Sequence, residues 1–209
     1  MSSLFPLLPA FLDLTGRAAV LLSGEAGLAP LARRLLDCGA GVSVFDRAPS
    51  ASVAALGPPA RLIPRRWRSS DLAGVALIVA GVDEPRLARA RAAARAARAL
   101  FYAPHDVAAS DVRLGAAVAG GAIAIGVTSP NLPPEVSLAV ARRFEESSLA
   151  GYDLFLEAAA RAAARVEAMV PDNDRRSKFW RETADAALKA GSAAPSDWDS
   201  WIVRRMDAK

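Results

Sequence analysis

Ala18-Ala-Val-Leu-Leu-Ser-Gly-Glu-Ala-Gly-Leu-Ala-Pro-Leu-Ala-Arg-Arg-Leu-Leu36 changes its periodicity halfway along, and that change decides the fold. Arg17–Leu22 is a continuous apolar run, as expected of a strand buried on both faces. From Ala29 to Cys38 the apolar residues recur at helical spacing, and Gly39 is placed to close the helix. Between them lies a tight turn, Ser23-Gly24-Glu25-Ala26-Gly27-Leu28. A phosphate-binding turn at this point carries G-x-G-x-x-G, whose glycines let the backbone approach a pyrophosphate seated on the helix N-terminus. Here Ser23 takes the first glycine position, Glu25 the second and Leu28 the third. Ser23, Gly24, Glu25, Ala26 and Gly27 are therefore candidate cofactor contacts. Two placements of the Glu25 carboxylate are open: toward the phosphates, or in their stead at the helix N-terminus, where the dipole favours it.

The alternation continues outward. Val42–Phe45 reads as a second strand and Arg61–Ile63 as a third, with a short turn at Asp71–Leu72. Val75–Ala80 is the clearest strand in the chain. Pro85 suits the start of a helix over Arg86–Leu100, and Leu100–Tyr102 is a short strand before the loop Ala103–Ala109. Strands alternating with helices predict a parallel, doubly wound α/β sheet of Rossmann type. Beyond it, Val112–Ala119 and Ala122–Val127 around Gly120-Gly121 predict a β-hairpin. Pro130, Pro133 and Pro134 precede a helix over Glu135–Ser147. Helices over Tyr152–Val170 and Asp174–Ala190 follow, and Trp198, Trp201 and Ile202 form one apolar face in the tail. The expected division is 1–110, a Rossmann-like domain; 111–148, a dimerisation region; and 149–209, a helical C-terminal part.

Composition narrows the chemistry. The chain has 209 residues, one cysteine (Cys38) and one histidine (His105), which excludes an intramolecular disulfide and any cysteine cluster or multi-histidine metal site. No apolar run reaches the roughly 18 residues of a membrane span. Met1–Leu14 lacks a basic leading segment and is broken by Pro6, Pro9 and Asp13, so a cytoplasmic protein is expected. The net charge of +4, carried almost wholly by arginine, suits an anionic partner. A high-GC genome explains the same arginines. Arg91, Arg95 and Arg98 fall on one helical stripe, but no aromatic residues interleave it. A solvated outer face is expected there rather than a nucleic-acid interface.

Three further sites stand out. Asp46 ends the second strand about 20 residues after the turn, where an acidic residue hydrogen-bonds an adenosine ribose; a turn-capping aspartate is the other reading. Arg47 beside it suits a 2′-phosphate, so NAD and NADP both stay open, and Ala48 completes this loop. His105-Asp106 follows a parallel strand at the edge where such sheets bind ligands. That pair could supply a general base and a metal-binding group, or be a solvated loop. Thr128 and Ser129, with Asn131, could bind an anionic substrate or cap the next helix.

Taken together these segments resemble the siroheme-synthase N-terminal family. The resemblance begins at Phe5–Arg17, similar to an opening P-x-F-x-x-L-x-G-R, and runs through Leu31–Ala40 and Ser70–Val75. It includes the Asp106 loop, the Thr128-Ser129 turn and Arg175-Arg176-Ser-Lys-Phe179-Trp180, similar to R-R-x-F-W, and covers roughly residues 4–190. It implies a precorrin-2 dehydrogenase that oxidises precorrin-2 to sirohydrochlorin with NAD, and a sirohydrochlorin ferrochelatase that inserts ferrous iron. It implies Asp106 as the catalytic base, with Asp106 and His105 near the metal, and His105, Thr128, Ser129 and Asn131 near a tetrapyrrole. A homodimer acting on a small molecule is expected, without nucleic acid or membrane. The chain departs from the family where G-G-G-x-V-A is Ser23–Leu28, where A-T-x-D is Ala80-Gly81-Val82-Asp83, and at Ser129–Pro134. These departures leave a second function open, a relative with a degraded NAD site that binds or metallates a tetrapyrrole.

Overall fold

In the computed structural model, residues 7–81, 87–120, 123–128, 134–144, 153–190, 195 and 197–207 are described. They fall into two compact units, one over Leu8–Leu114 and one holding the described residues from Gly115 onward.

The first unit is built on five strands: β1 (Ala18–Leu21), β2 (Gly41–Phe45), β3 (Arg61–Ile63), β4 (Val75–Val79) and β5 (Leu100–Tyr102). They lie in the order β3-β2-β1-β4-β5, all parallel. Strand order therefore reverses between β1 and β4, and the crevice beyond their C-terminal ends is the topological switch point. The Rossmann-like architecture expected from the sequence is present.

The apolar runs are apolar because both faces are covered. Ala19 and Leu21 of β1 join Leu77 and Val79 of β4 against α1 (Ala29–Asp37) and α2 (Ala51–Ala54). Val20, Ile78 and Phe101 point the other way, toward Ala90 and Ala94 of α3 (Leu87–Ala97). The four-residue helix α2 is absent from the sequence expectation; Ser50 starts it, its hydroxyl accepting the Val53 N–H at 3.4 Å.

Both long helices of this unit end in the same six-residue closure. In α1, Ala40 N–H donates to Leu35 O at 3.0 Å and Gly39 N–H to Leu36 O at 2.8 Å, with Gly39 at φ +76°. In α3, Ala99 donates to Ala94 and Arg98 to Arg95, both at 3.0 Å. The left-handed position is here an arginine, Arg98, at φ 55°. The helix consequently stops at Ala97 instead of Leu100, and Arg98 leaves the expected stripe. Arg91 is not fully solvated either, since its Nε is buried.

In the second unit, β6 (Ala116–Gly120) and β7 (Ile123–Val127) form the expected antiparallel hairpin. It begins at Ala116 rather than Val112, because Val112 and Leu114 pack into the α1-side core. α4 (Pro134–Phe144) covers the hairpin, with Val118 and Ala141 buried between them. A separate core joins α5 (Asp153–Met169), α6 (Asn173–Ala190) and α7 (Trp198–Asp207). The tail docks as its apolar face predicts: Trp198 and Ile202 are buried, and the Trp198 ring meets Phe155 at a tilt of 59° with centroids 5.0 Å apart. The R-R-x-F-W segment is partly architectural. Arg176 donates to Val170 O at 3.0 Å and Pro171 O at 3.2 Å, closing the corner between α5 and α6, while Phe179 is buried in the core.

Candidate dinucleotide crevice

Four loops meet the C-terminal edge of the sheet: the turn after β1, the loop after β2, the chain leaving β4 and the loop after β5. The first two are tied directly together. Asp46 accepts the Gly24 N–H on Oδ2 at 2.7 Å and the Ala48 N–H on Oδ1 at 3.0 Å. Ser50 N–H returns to Gly24 O at 2.8 Å. Only glycine fits at position 24, because a Cβ there would lie 2.7 Å from Pro49 Cβ and 3.1 Å from Asp46 Cβ. The sequence therefore brings Ser23, Gly24, Asp46 and Ala48 to one place, while Arg47 is exposed beside them.

Burial by itself raises the Asp46 carboxyl, but backbone N–H groups of Ala48, Gly24 and Arg47 outweigh it and hold the group below its ordinary value. Asp46 is thus ionised at neutral pH, as a ribose acceptor must be. Its folded pKa being depressed, the stability it adds is present above the unfolded value of about 3.9 and is lost as pH falls through the folded value. Asp46→Asn is expected to lose less stability than the native chain between about pH 7 and about pH 3, read from urea midpoints. Equal losses would show that these bonds do not hold the carboxylate.

Ala26–Leu28 form a 3-10 turn leading into α1, with Pro30 in the first helical turn. Neither start has a side-chain cap hydrogen bond, and a Cβ on Gly27 would meet nothing within 4 Å. Leu28 N–H donates to Glu25 O at 3.1 Å and Ala29 N–H to Ala26 O, which leaves the Ala26 and Gly27 N–H groups of this turn to face an anion.

Of the two placements expected of Glu25, the structure does not show the one at the helix N-terminus. Its carboxylate does not cap the helix. It turns across the crevice toward the end of β4: a Cβ built on Gly81 would lie 2.6 Å from Glu25 Oε2 and 2.9 Å from Ser23 Cβ. Ser23 supports this arrangement, its Oγ accepting the Glu25 N–H at 3.2 Å and donating to Oε2 at 3.5 Å. The reason is register. Leu21 pairs with Val79, so continuing both strands by two residues sets Ser23 beside Gly81, and the missing side chain there leaves room for a carboxylate. Val82 and Asp83 of the same segment lie outside the described residues.

The loop after β5 is bracketed by its own hydrogen bonds. Asp106 Oδ1 accepts the Ala109 N–H at 3.0 Å, and Asp106 N–H donates to Ala103 O at 3.1 Å. Ser110, unmarked by any sequence motif, holds both ends: its hydroxyl accepts from Ala103 N at 2.9 Å and reaches Ala103 O at 3.1 Å and Asp106 O at 3.0 Å. Asp106 is half-buried and His105 exposed. β2 and β5 flank the β1–β4 switch point three strand spacings apart, about 14 Å. Asp46 and Asp106 therefore stand on opposite flanks of one crevice. Among the described residues, no group of three or more His, Cys, Asp or Glu could hold a metal ion. Thr128 is exposed in the second unit; Ser129 and Asn131 lie outside the described residues.

These residues fit a dinucleotide in its adenosine half: a fixed ionised acceptor for the ribose and the N–H groups of Ala26 and Gly27 for phosphate. The other half is bordered by the Glu25 carboxylate lying against Gly81. Comparison with known proteins bears on the class of ligand. The model of a family described as putative NAD(P)-binding matches residues 10–116. A siroheme synthase of Pseudomonas entomophila is 32% identical over 177 residues, 83% of this chain and 38% of that protein. One of Chromobacterium violaceum is 28% identical over 194 residues, 89% and 41% of the two chains. This chain thus spans about two fifths of the curated relatives it matches. Its fold is shared with the solved structure of SirC, a precorrin-2 dehydrogenase, at a TM-score of 0.70 and 13% identity over 97% of this chain and 100% of that one. The chain belongs to the putative NAD(P)-binding family, as its resemblance to the siroheme-synthase N-terminal family implied.

Proposed function

We propose that the protein is an NAD-dependent precorrin-2 dehydrogenase of siroheme biosynthesis, and that the same site serves as a sirohydrochlorin ferrochelatase with ferrous iron as substrate. The observation that carries this is the pairing of Asp46 and Asp106 across one switch-point crevice. Asp46 would hold the adenosine ribose. Its fixed negative charge opposes a 2′-phosphate, which favours NAD over NADP even with Arg47 alongside. When bound, NAD supplies a hydride acceptor.

Oxidation of precorrin-2 to sirohydrochlorin removes a hydride and a proton. Asp106 would take the proton, on a loop whose ends Ser110 joins through hydrogen bonds to Ala103 O and Asp106 O. Iron insertion releases two pyrrole N–H protons, and the same carboxylate would accept them in turn. His105 stands exposed beside it to meet substrate or metal, and Thr128, Ser129 and Asn131 are assigned to the carboxylates of the tetrapyrrole. The arginine-rich surface attracts such a substrate. Precorrin-2 with NAD should yield sirohydrochlorin and NADH in equal amounts.

A second function is favoured by the Glu25 carboxylate against Gly81: a relative that binds or metallates the tetrapyrrole without oxidising it. It predicts bound tetrapyrrole and no NADH. We also assign 111–148 to dimerisation and 149–209 to a helical part, since the hairpin and the last three helices have separate cores. α4 exposes Val136, Leu138, Val140 and Phe144, an apolar set that a homodimer would cover. Light scattering should return twice the 21.8 kDa chain mass; a monomer at micromolar concentration would contradict it.

A further inference from the structure

The Glu25 carboxylate lies against Gly81 at the end of β4 and Ser23 at the end of β1. Asp46 and Pro49, on the adenosine side, are packed against Gly24 instead, and Ala48 donates its N–H to Asp46. A ligand entering from the β2 side meets a finished half-site: an ionised Asp46, a glycine whose backbone is held by it, and Gly27 facing open space. A ligand that continues toward β4 meets a carboxylate lodged over the one residue there without a side chain. A second phosphate would face it as like charge against like.

We infer that Glu25 sets mononucleotide against dinucleotide recognition: the adenosine 5′-monophosphate half of the crevice is open, while Glu25 obstructs the half over Gly81 and must rotate away before a dinucleotide can cross. This rests on the cofactor assignment above and adds a specificity-determining residue to it. The nicotinamide half of NAD then contributes little net affinity in the native chain, because what it gains over β4 is offset by displacing Glu25. At position 25 the backbone is extended, φ −65° and ψ 151°, so its replacement by other residues carries no backbone strain.

The test is calorimetric titration of the full chain with AMP and, separately, NAD, for the native protein, Glu25→Gly and Glu25→Gln. The native chain should bind the two with dissociation constants within about threefold. Glu25→Gly should tighten NAD by about tenfold or more and leave AMP within about twofold; Glu25→Gln, keeping bulk without charge, should fall between. Equal tightening of both ligands would overturn the inference, since the carboxylate would then act on the first phosphate. No change in either would overturn it too, and so would a failure of both ligands to bind any form, which would remove the cofactor assignment as well. A selective gain for NAD in a chain that does not oxidise precorrin-2 would uphold the role of Glu25 while removing the dehydrogenase.

Discussion

Asp106→Asn is expected to lower precorrin-2 turnover by about 10²–10⁴-fold while leaving the protein folded. The asparagine side chain is chosen because Asp106 has two roles that must be separated. Its Oδ1 accepts the Ala109 N–H at 3.0 Å and so caps the short turn Val107–Ala109. An amide oxygen can make that same bond, but an amide cannot take up the substrate proton. Asp106→Ala removes both roles and should cost about 1 kcal/mol of stability through the lost cap besides the lost turnover. If Asp106→Asn keeps full activity, the aspartate is only a cap. If asparagine and alanine both unfold the loop, the bracket built by Ser110 is weaker than its hydrogen bonds indicate.

Phe101→Ala carries the largest expected effect on stability, about 3–5 kcal/mol. Phe101 is 0% exposed at the centre of β5, packed with Val20, Ile78, Trp67 and the alanine face of α3. On the helix side Ala90 and Ala94 are too small to fill the space left behind. A loss of that size is a large share of the stability of an ordinary domain, about 5–15 kcal/mol. The site would feel it too, because Asp111 N–H donates to Phe101 O at 2.8 Å and so ties the end of the Asp106 loop to this strand. Urea unfolding reads the cost directly. A change under about 1 kcal/mol would mean that this face of the sheet is not packed as described.

Much of the first unit was legible because burial on both faces leaves a plain signature. Val20, Leu21 and Leu22 have no polar neighbour to alternate with, and no other element explains such a run. The place of Asp46 beside the turn was legible from its distance along the chain, but its bonds to the Gly24 and Ala48 N–H groups were not. What escaped was settled by long-range geometry. Ser110 reads as an ordinary loop serine until β5 brings Ala103 back to it. The end of α3 was misplaced because a left-handed residue is usually glycine, and here it is Arg98. Glu25 shows the limit most clearly. The sequence exposes a carboxylate among phosphate-binding positions, yet its direction depends on Gly81, more than 50 residues on, and on the pairing of β1 with β4 that sets Ser23 beside it.

The central claim, that one crevice oxidises a tetrapyrrole with Asp106 as proton acceptor, is tested most directly by incubating the native protein anaerobically with precorrin-2 and NAD. Sirohydrochlorin and NADH should appear together in equal amounts, with both lost in Asp106→Asn. Precorrin-2 bound but left unoxidised at saturating NAD would contradict the dehydrogenase and leave a tetrapyrrole-binding protein in its place.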